Sequence, residues 1–195
     1  VAQRDLTLKS KIHEVIVTTQ SSQGKSHSAP MGISEVNGHF VIKPFKPSTT
    51  YDNLKQHRQC SINYSDDVRI FAGSLTGRRD WTTQDCHNIN GQYLTCALAH
   101  TELEIIDIDD AEPRAVFTGK VIGDYTHAAF RGFNRAQSAV IDAAILVSRL
   151  DMLPEKKIQQ EIAYLRIAIE KTAGERELEA WGWLMGKIKD AGIKL

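Results

Sequence analysis

The amino-acid sequence predicts an α+β protein, an antiparallel β-barrel followed by a C-terminal helical extension. Three observations predict it. Residues 14–125 break into short β-branched runs separated by Gly, Asn and Pro turns. Asn37-Gly38 is a strong two-residue hairpin signal, so antiparallel neighbours are built in. From Phe133 onward the apolar period becomes that of a helix. The change divides the chain into a barrel over residues 11–130 and an extension over residues 131–195.

Each element follows from local chemistry. Residues 1–10 are polar and read as a loosely held arm. Residues 14–19, EVIVTT, are dense in β-branched side chains and predict a strand. Residues 21–26 make a turn, and residues 27–36 a second strand that Asn37-Gly38 folds back into a third over residues 38–45. Pro44 and Pro47 end it, since proline brings no N–H to a ladder and disfavours helix at the preceding residue. Ser48, Thr49 and Thr50 then open a short helix through Arg58, because hydroxyl oxygens accept from the free N–H groups of a first turn. Residues 60–64, CSINY, predict a strand with Cys60, Ile62 and Tyr64 on one face and Ser61 and Asn63 on the other. Residues 66–75 form a helical turn or two, and residues 76–92 a long loop suited to a lid or a partner contact. Residues 94–108 and 115–125 are two long strands joined by a polar turn. Three helical stripes follow: Phe133, Ala136, Val140, Ala143, Ala144, Val147 and Leu150; then Ile158, Ile162, Leu165 and Ile169, stopping at Gly174; then Leu178, Trp181, Leu184, Met185 and Ile188.

Composition narrows the function classes. Lys plus Arg equals Asp plus Glu, 24 against 24, so bulk charge offers nothing to a nucleic-acid backbone. No apolar run approaches the roughly 20 residues of a membrane span. No secretory signal is read at the start, and Val1 reads as a trimmed terminus. Cys60, Cys86 and Cys96 contain no CxxC pair and suit a reducing, cytoplasmic setting.

Motifs that carry chemistry are few. Gly24-Lys25-Ser26 has the tail of a phosphate loop but lacks the upstream glycine of GxxxxGK[ST], and no GxGxxG follows a strand. Cys86, His87, Cys96 and His100 match no zinc-finger spacing, and Asp107, Asp109 and Asp110 lack the glycine and closing glutamate of a calcium loop; no metal site is expected. What remains is residues 41–54, VIKPFKPSTTYDNL. The free N–H groups and positive dipole end of its helix make a seat for phosphate, with Lys43 and Lys46 beside it. Ahead of it, Ala29 and Gly32 leave room for a flat ring to approach backbone N–H groups.

In order and spacing, EVIVTT, HSAPMGI, PFKPSTTYDNL, CSINYSDDVRIF and FNRAQSAVIDAAILVSRL resemble the FMN-binding split-barrel flavoproteins, and within them the DUF447 group of archaea and methylotrophic bacteria. The resemblance covers most of residues 13–188. It implies a flavin-reductase-like split barrel, a homodimer with FMN near the subunit interface, and an FMN-dependent oxidoreductase fed by NAD(P)H or another donor. A carrier of flavin or haem without catalysis is the alternative, with His13, His27 or His127 as iron ligands. By the same resemblance, His27, Ser28, Ala29, Met31, Gly32 and Ile33 line the isoalloxazine ring, chiefly through the backbone of the last three. Ser48, Thr49, Thr50 and Asn53 hold the phosphate, and Asn63 sits beside the ring or ribityl chain. Relatives often carry Lys-Asp-Thr where this chain has Ser-Thr-Thr. Lys46, Lys43 or an arginine of a second subunit must supply the missing charge, with Arg78, Arg79, Arg131 and Arg135 as candidates. No catalytic acid is assigned.

Overall fold

A computed structural model of the chain describes residues 11–110, 112 and 114–195; the polar arm expected at residues 1–10 lies outside them. The elements in chain order are β1 (Ile12–Gln20), β2 (Ser26–Val36), β3 (His39–Ile42), α1 (Thr49–His57), β4 (Gln59–Tyr64), α2 (Arg69–Leu75), β5 (Thr83–Asp85), β6 (Gln92–Leu94), β7 (Ala99–Asp109), β8 (Val116–Thr126), α3 (Arg135–Val147), α4 (Glu155–Thr172) and α5 (Glu175–Asp190). Six strands close into an antiparallel barrel in the order β1-β2-β3-β8-β7-β4, and β5 and β6 form a separate two-stranded ribbon.

Local chemistry accounts for most of these boundaries. Asn37 and Gly38 take φ of 52° and 77°, the positive angles that a type I′ hairpin requires, and set the register of β2 on β3. β3 stops at Ile42, short of the predicted residue 45, and its last ladder partner is Phe117 on β8. Ser48 caps α1 as expected, its Oγ accepting from the Tyr51 N–H at 3.2 Å. The predicted loop at residues 76–92 contains β5, which pairs with β6 from Thr83 opposite Leu94 to Asp85 opposite Gln92. The strand predicted from residue 94 begins only at Ala99, because Leu94 closes β6 and the chain then turns, with the Leu98 N–H donating to the Tyr64 carbonyl at 2.8 Å.

Two cores sit on either side of the barrel wall. Inside, Val15, Val17, Ile33, Ile42, Cys60, Ile62, Leu103, Ile105 and Phe117 pack with Leu54 of α1. Outside, Ile16 and Leu94 join Val68, Ile70, Phe71 and Ala72 beneath the apolar stripes of α3, α4 and α5. The wall is therefore covered on both faces along β1 and β4, which is why Ser61 and Asn63 are as buried as Cys60 and Ile62. All four predicted stripe residues of α4 are buried. Two stripe assignments need correction. Phe133 precedes α3 and is 98% exposed, and Leu178 is 54% exposed, because the buried stripe of α5 runs through Glu177, Trp181, Leu184 and Ile188. Gly174 serves as the N-cap of α5, and Ala173 closes α4.

Asp67, buried before α2, accepts from Arg69 Nε at 2.9 Å and Nη2 at 2.6 Å. Burial works against its ionisation, but the Arg69 bonds prevail and hold its carboxyl below the usual range. A carboxyl lowered by folding stabilises above its unfolded pKa and loses that contribution as pH falls through the folded value. Asp67→Asn should therefore lower stability at pH 7 and flatten its decline below about pH 4. Urea denaturation of both proteins at neutral and acidic pH checks this; parallel pH profiles would contradict it.

Candidate functional site

β2 alternates its side chains between the two faces of the wall. Ile33 enters the barrel core and Met31 packs against it. Ser28 takes the opposite face, its hydroxyl 2.8 Å from that of Thr18. His27 is half-buried, and burial, with Arg79 adding to it, holds its imidazole below the usual histidine range. At the α1 end, Thr50 and Asn53 are buried, and Asn53 Nδ2 donates to Thr19 Oγ1 at 2.9 Å. Thr49 is exposed and Ser48 is half-buried at the cap, so these two stand nearest to the N–H groups that a first helical turn leaves open. Lys46 is engaged elsewhere: its Nζ lies 2.8 Å from Asp110 Oδ1 and 3.0 Å from Glu112 Oε1. Hydrogen bonds to those carboxylates hold it above the ordinary lysine range. Asp110 also accepts from Lys55 and from the Tyr51 hydroxyl.

Beside β2 lies a cavity of about 680 Å³, within the usual size of a small-molecule site. It is lined by Met31, Gly32 and Ile33, three of the residues that the resemblance assigns to the ring, with Lys43, Pro44 and Phe45 of the segment leading to α1. Arg114, from the turn before β8, and Arg149, just after α3, also line it, and Glu14 is the one acidic residue among the described residues of the lining. The Arg114 guanidinium stacks 3.7 Å from the centre of the Phe45 ring. His27, Ser28, Ala29, Lys46, Ser48, Thr49, Thr50, Asn53 and Asn63 do not line the cavity. Arg114 and Arg149 escape sequence reasoning, since each sits in a polar segment far along the chain from β2. Arg78, Arg79, Arg131 and Arg135, the predicted sources of charge, are not part of the lining.

The outer face of the wall carries a polar belt. Register puts Ser28, Thr18, Ser61 and Glu102 side by side on β2, β1, β4 and β7, with Asn63 next to His100 one pair along. Asn63 is fully buried: its Nδ2 donates to the Ile16 carbonyl at 3.0 Å and to Thr18 Oγ1 at 3.1 Å, while its Oδ1 accepts from the Leu94 N–H at 2.7 Å. Glu102, also fully buried, accepts from the N–H groups of His87 at 2.6 Å and Asn88 at 2.8 Å. Burial opposes its ionisation, but those amides and His100 outweigh it and keep the carboxyl below the usual range. Burial likewise lowers the His100 pKa, against the pull of its Glu102 hydrogen bond. Burial and the neighbouring Glu102 carboxylate push the Cys86 thiol up to about 12. Gly123 lets the loop lie this close, since a Cβ there would fall 2.7 Å from Asn88 Nδ2 and 2.9 Å from Tyr125 Cε2. Of the four residues considered for zinc, Cys86 and His100 come together, and Glu102 joins them. The signal for Glu102 was its place two residues beyond His100 on one strand, which puts both on the same face.

Family profiles match in two consecutive pieces. The N-terminal domain of a protein family of unknown function, DUF447, covers residues 13–128, and the family's second domain covers residues 134–186. The chain belongs to the DUF447 family. An uncharacterised protein of Methanocaldococcus jannaschii, MJ1453, is 24% identical over 144 residues, spanning 71% of this chain and 74% of its own. The crystal structure of FMN-bound MM1853 from Methanosarcina mazei, of the same family, superposes with a TM-score of 0.78 at 20% identity, covering 92% of this chain and 96% of that one. A putative flavin reductase from Haemophilus somnus gives a TM-score of 0.52 at 16% identity, over 63% of this chain and 83% of its own. At these identities the likeness establishes the fold, a flavin-reductase-like split barrel with helices added, as the sequence predicts.

Proposed function

We propose that this DUF447 protein is an FMN-binding flavoprotein that acts as an FMN-dependent oxidoreductase, its site completed by a second copy of the chain. The observation that carries the reading is the cavity beside β2, where the backbone of residues 31–33 and three cations, Lys43, Arg114 and Arg149, meet around one acid. Size and charge suit a flat ring bearing a phosphate. The FMN named with MM1853, on the same fold, supports the choice of ligand. With Lys46 held by two carboxylates, the charge expected of a lysine near α1 is supplied in this reading by Lys43, Arg114 and Arg149, while Ser48 and Thr49 offer hydroxyls at the helix start. FMN, when bound, supplies hydride and electron transfer. The chain itself would bind the ring along residues 31–33 through backbone groups, seat the phosphate, and favour the anionic reduced ring with fixed positive charge.

Ile12, Phe45 and Met152 on the cavity rim are 65%, 66% and 73% exposed. Such an apolar rim is the kind of surface that a partner covers, which supports the homodimer. The purified protein should be yellow, release FMN on denaturation and sediment as a dimer. A colourless protein that cannot be reconstituted with FMN would remove the proposal. Bound FMN that neither NADH nor NADPH reduces anaerobically would favour a carrier over an enzyme.

A further inference from the structure

We infer that the barrel carries a second site, outside the cavity, in which Cys86, His100 and Glu102 bind a zinc ion on the outer face of β7. The donor atoms of these side chains lie within 4.8 Å of one another. His100 Nε2 stands 3.3 Å from Glu102 Oε1, about the edge of a tetrahedron whose arms are roughly 2.0–2.1 Å long. One thiol, one imidazole and one carboxylate are zinc donors, and three protein ligands leave a fourth position for water.

The surroundings hold each donor as a metal site requires. The far nitrogen of His100, Nδ1, is 2.8 Å from His127 Nε2, the hydrogen bond that fixes a ligating ring's tautomer and orientation. The His100 ring is stacked 4.0 Å from Tyr93 at 6° and 4.9 Å from Tyr125 at 19°, so it cannot swing away. Both Glu102 oxygens are aimed by backbone amides of the loop that carries Cys86. Charge also balances. Zinc would displace the Cys86 proton to solvent and bond to the thiolate, and thiolate plus carboxylate neutralise the divalent ion with no change of oxidation state. Cys86 is only partly buried, which gives the ion a way in.

The whole chain, stripped with a chelator and titrated with zinc chloride or cobalt chloride, tests this, with FMN content followed in parallel as an independent quantity. One equivalent of zinc per chain is expected, and the cobalt form should show a thiolate-to-metal charge-transfer band. Cys86→Ser should abolish the band and weaken zinc by about 100-fold or more, while Cys96→Ser leaves both intact; His127→Ala should keep the band and weaken zinc about 10–100-fold. Zinc should also shield Cys86 from alkylation in the unaltered protein, a readout that needs no variant. Absence of stoichiometric metal, no charge-transfer band, a band that survives Cys86→Ser, or alkylation of Cys86 indifferent to zinc would each overturn the inference and leave the cluster as a tie between loop and strand.

Discussion

Replacing Asn63 with leucine should lower stability by about 3–5 kcal/mol, since each buried polar group left without a partner costs about 1–3. The substitution nearly conserves shape, so the loss is one of hydrogen bonding. The Ile16 carbonyl and the Leu94 N–H would both lose a partner on a face from which solvent is excluded. These bonds join β1 to β6 through β4, so the same change should loosen β5 and β6 over the belt. Urea denaturation reads the effect, and a loss below about 1 kcal/mol would show that water or a shift of β6 rescues those groups. FMN affinity measured on the same variant reports separately whether Asn63 also meets the cofactor.

The second large effect concerns the cofactor. Arg114→Glu combined with Arg149→Glu should weaken FMN by about 100-fold or more, because two charge-assisted contacts worth roughly 1.5–3 kcal/mol each become repulsions. Both arginines are exposed, so folding should be little affected. Lys46→Ala should change FMN affinity by less than about 3-fold, since its ammonium is committed to Asp110 and Glu112. Flavin-fluorescence titration separates the cases. If Lys46→Ala is the damaging change and the double arginine variant binds normally, the phosphate is held at the start of α1, without the cavity cations.

Much of the barrel is legible in the chain because its signals are local. The β-branched run of β1, the Asn37-Gly38 turn and the Ser48 cap each act within a few residues. β5 and β6 are three residues each and carry no period to read, and Phe133 fits a helical stripe that simply starts too late to include it. The site divides along the same line. Met31, Gly32 and Ile33 are contiguous, and the resemblance names them together with His27, Ser28 and Ala29, which do not line the cavity. Arg114 and Arg149 reach the same cavity only after β8 has closed on β3 and the end of α3 has come beside β2, a placement no spacing encodes. Cys86 meets His100 and Glu102 because the Gly123 backbone lets a loop settle on β7, whereas zinc-finger spacing looks for ligands close together in one segment.

Closure of the barrel also restricts how this protein can associate. With β4 paired to β1, every barrel strand has hydrogen-bonded neighbours on both sides. Among the described residues no barrel strand is unpaired along a whole edge; another molecule could add only at stretches with a ladder partner on one side, such as residues 26–33 of β2 and 120–126 of β8, which leaves edge templating little to extend. The proposed dimer rests instead on exposed side chains such as Ile12, Phe45 and Met152. An interface of that kind can be tuned one residue at a time.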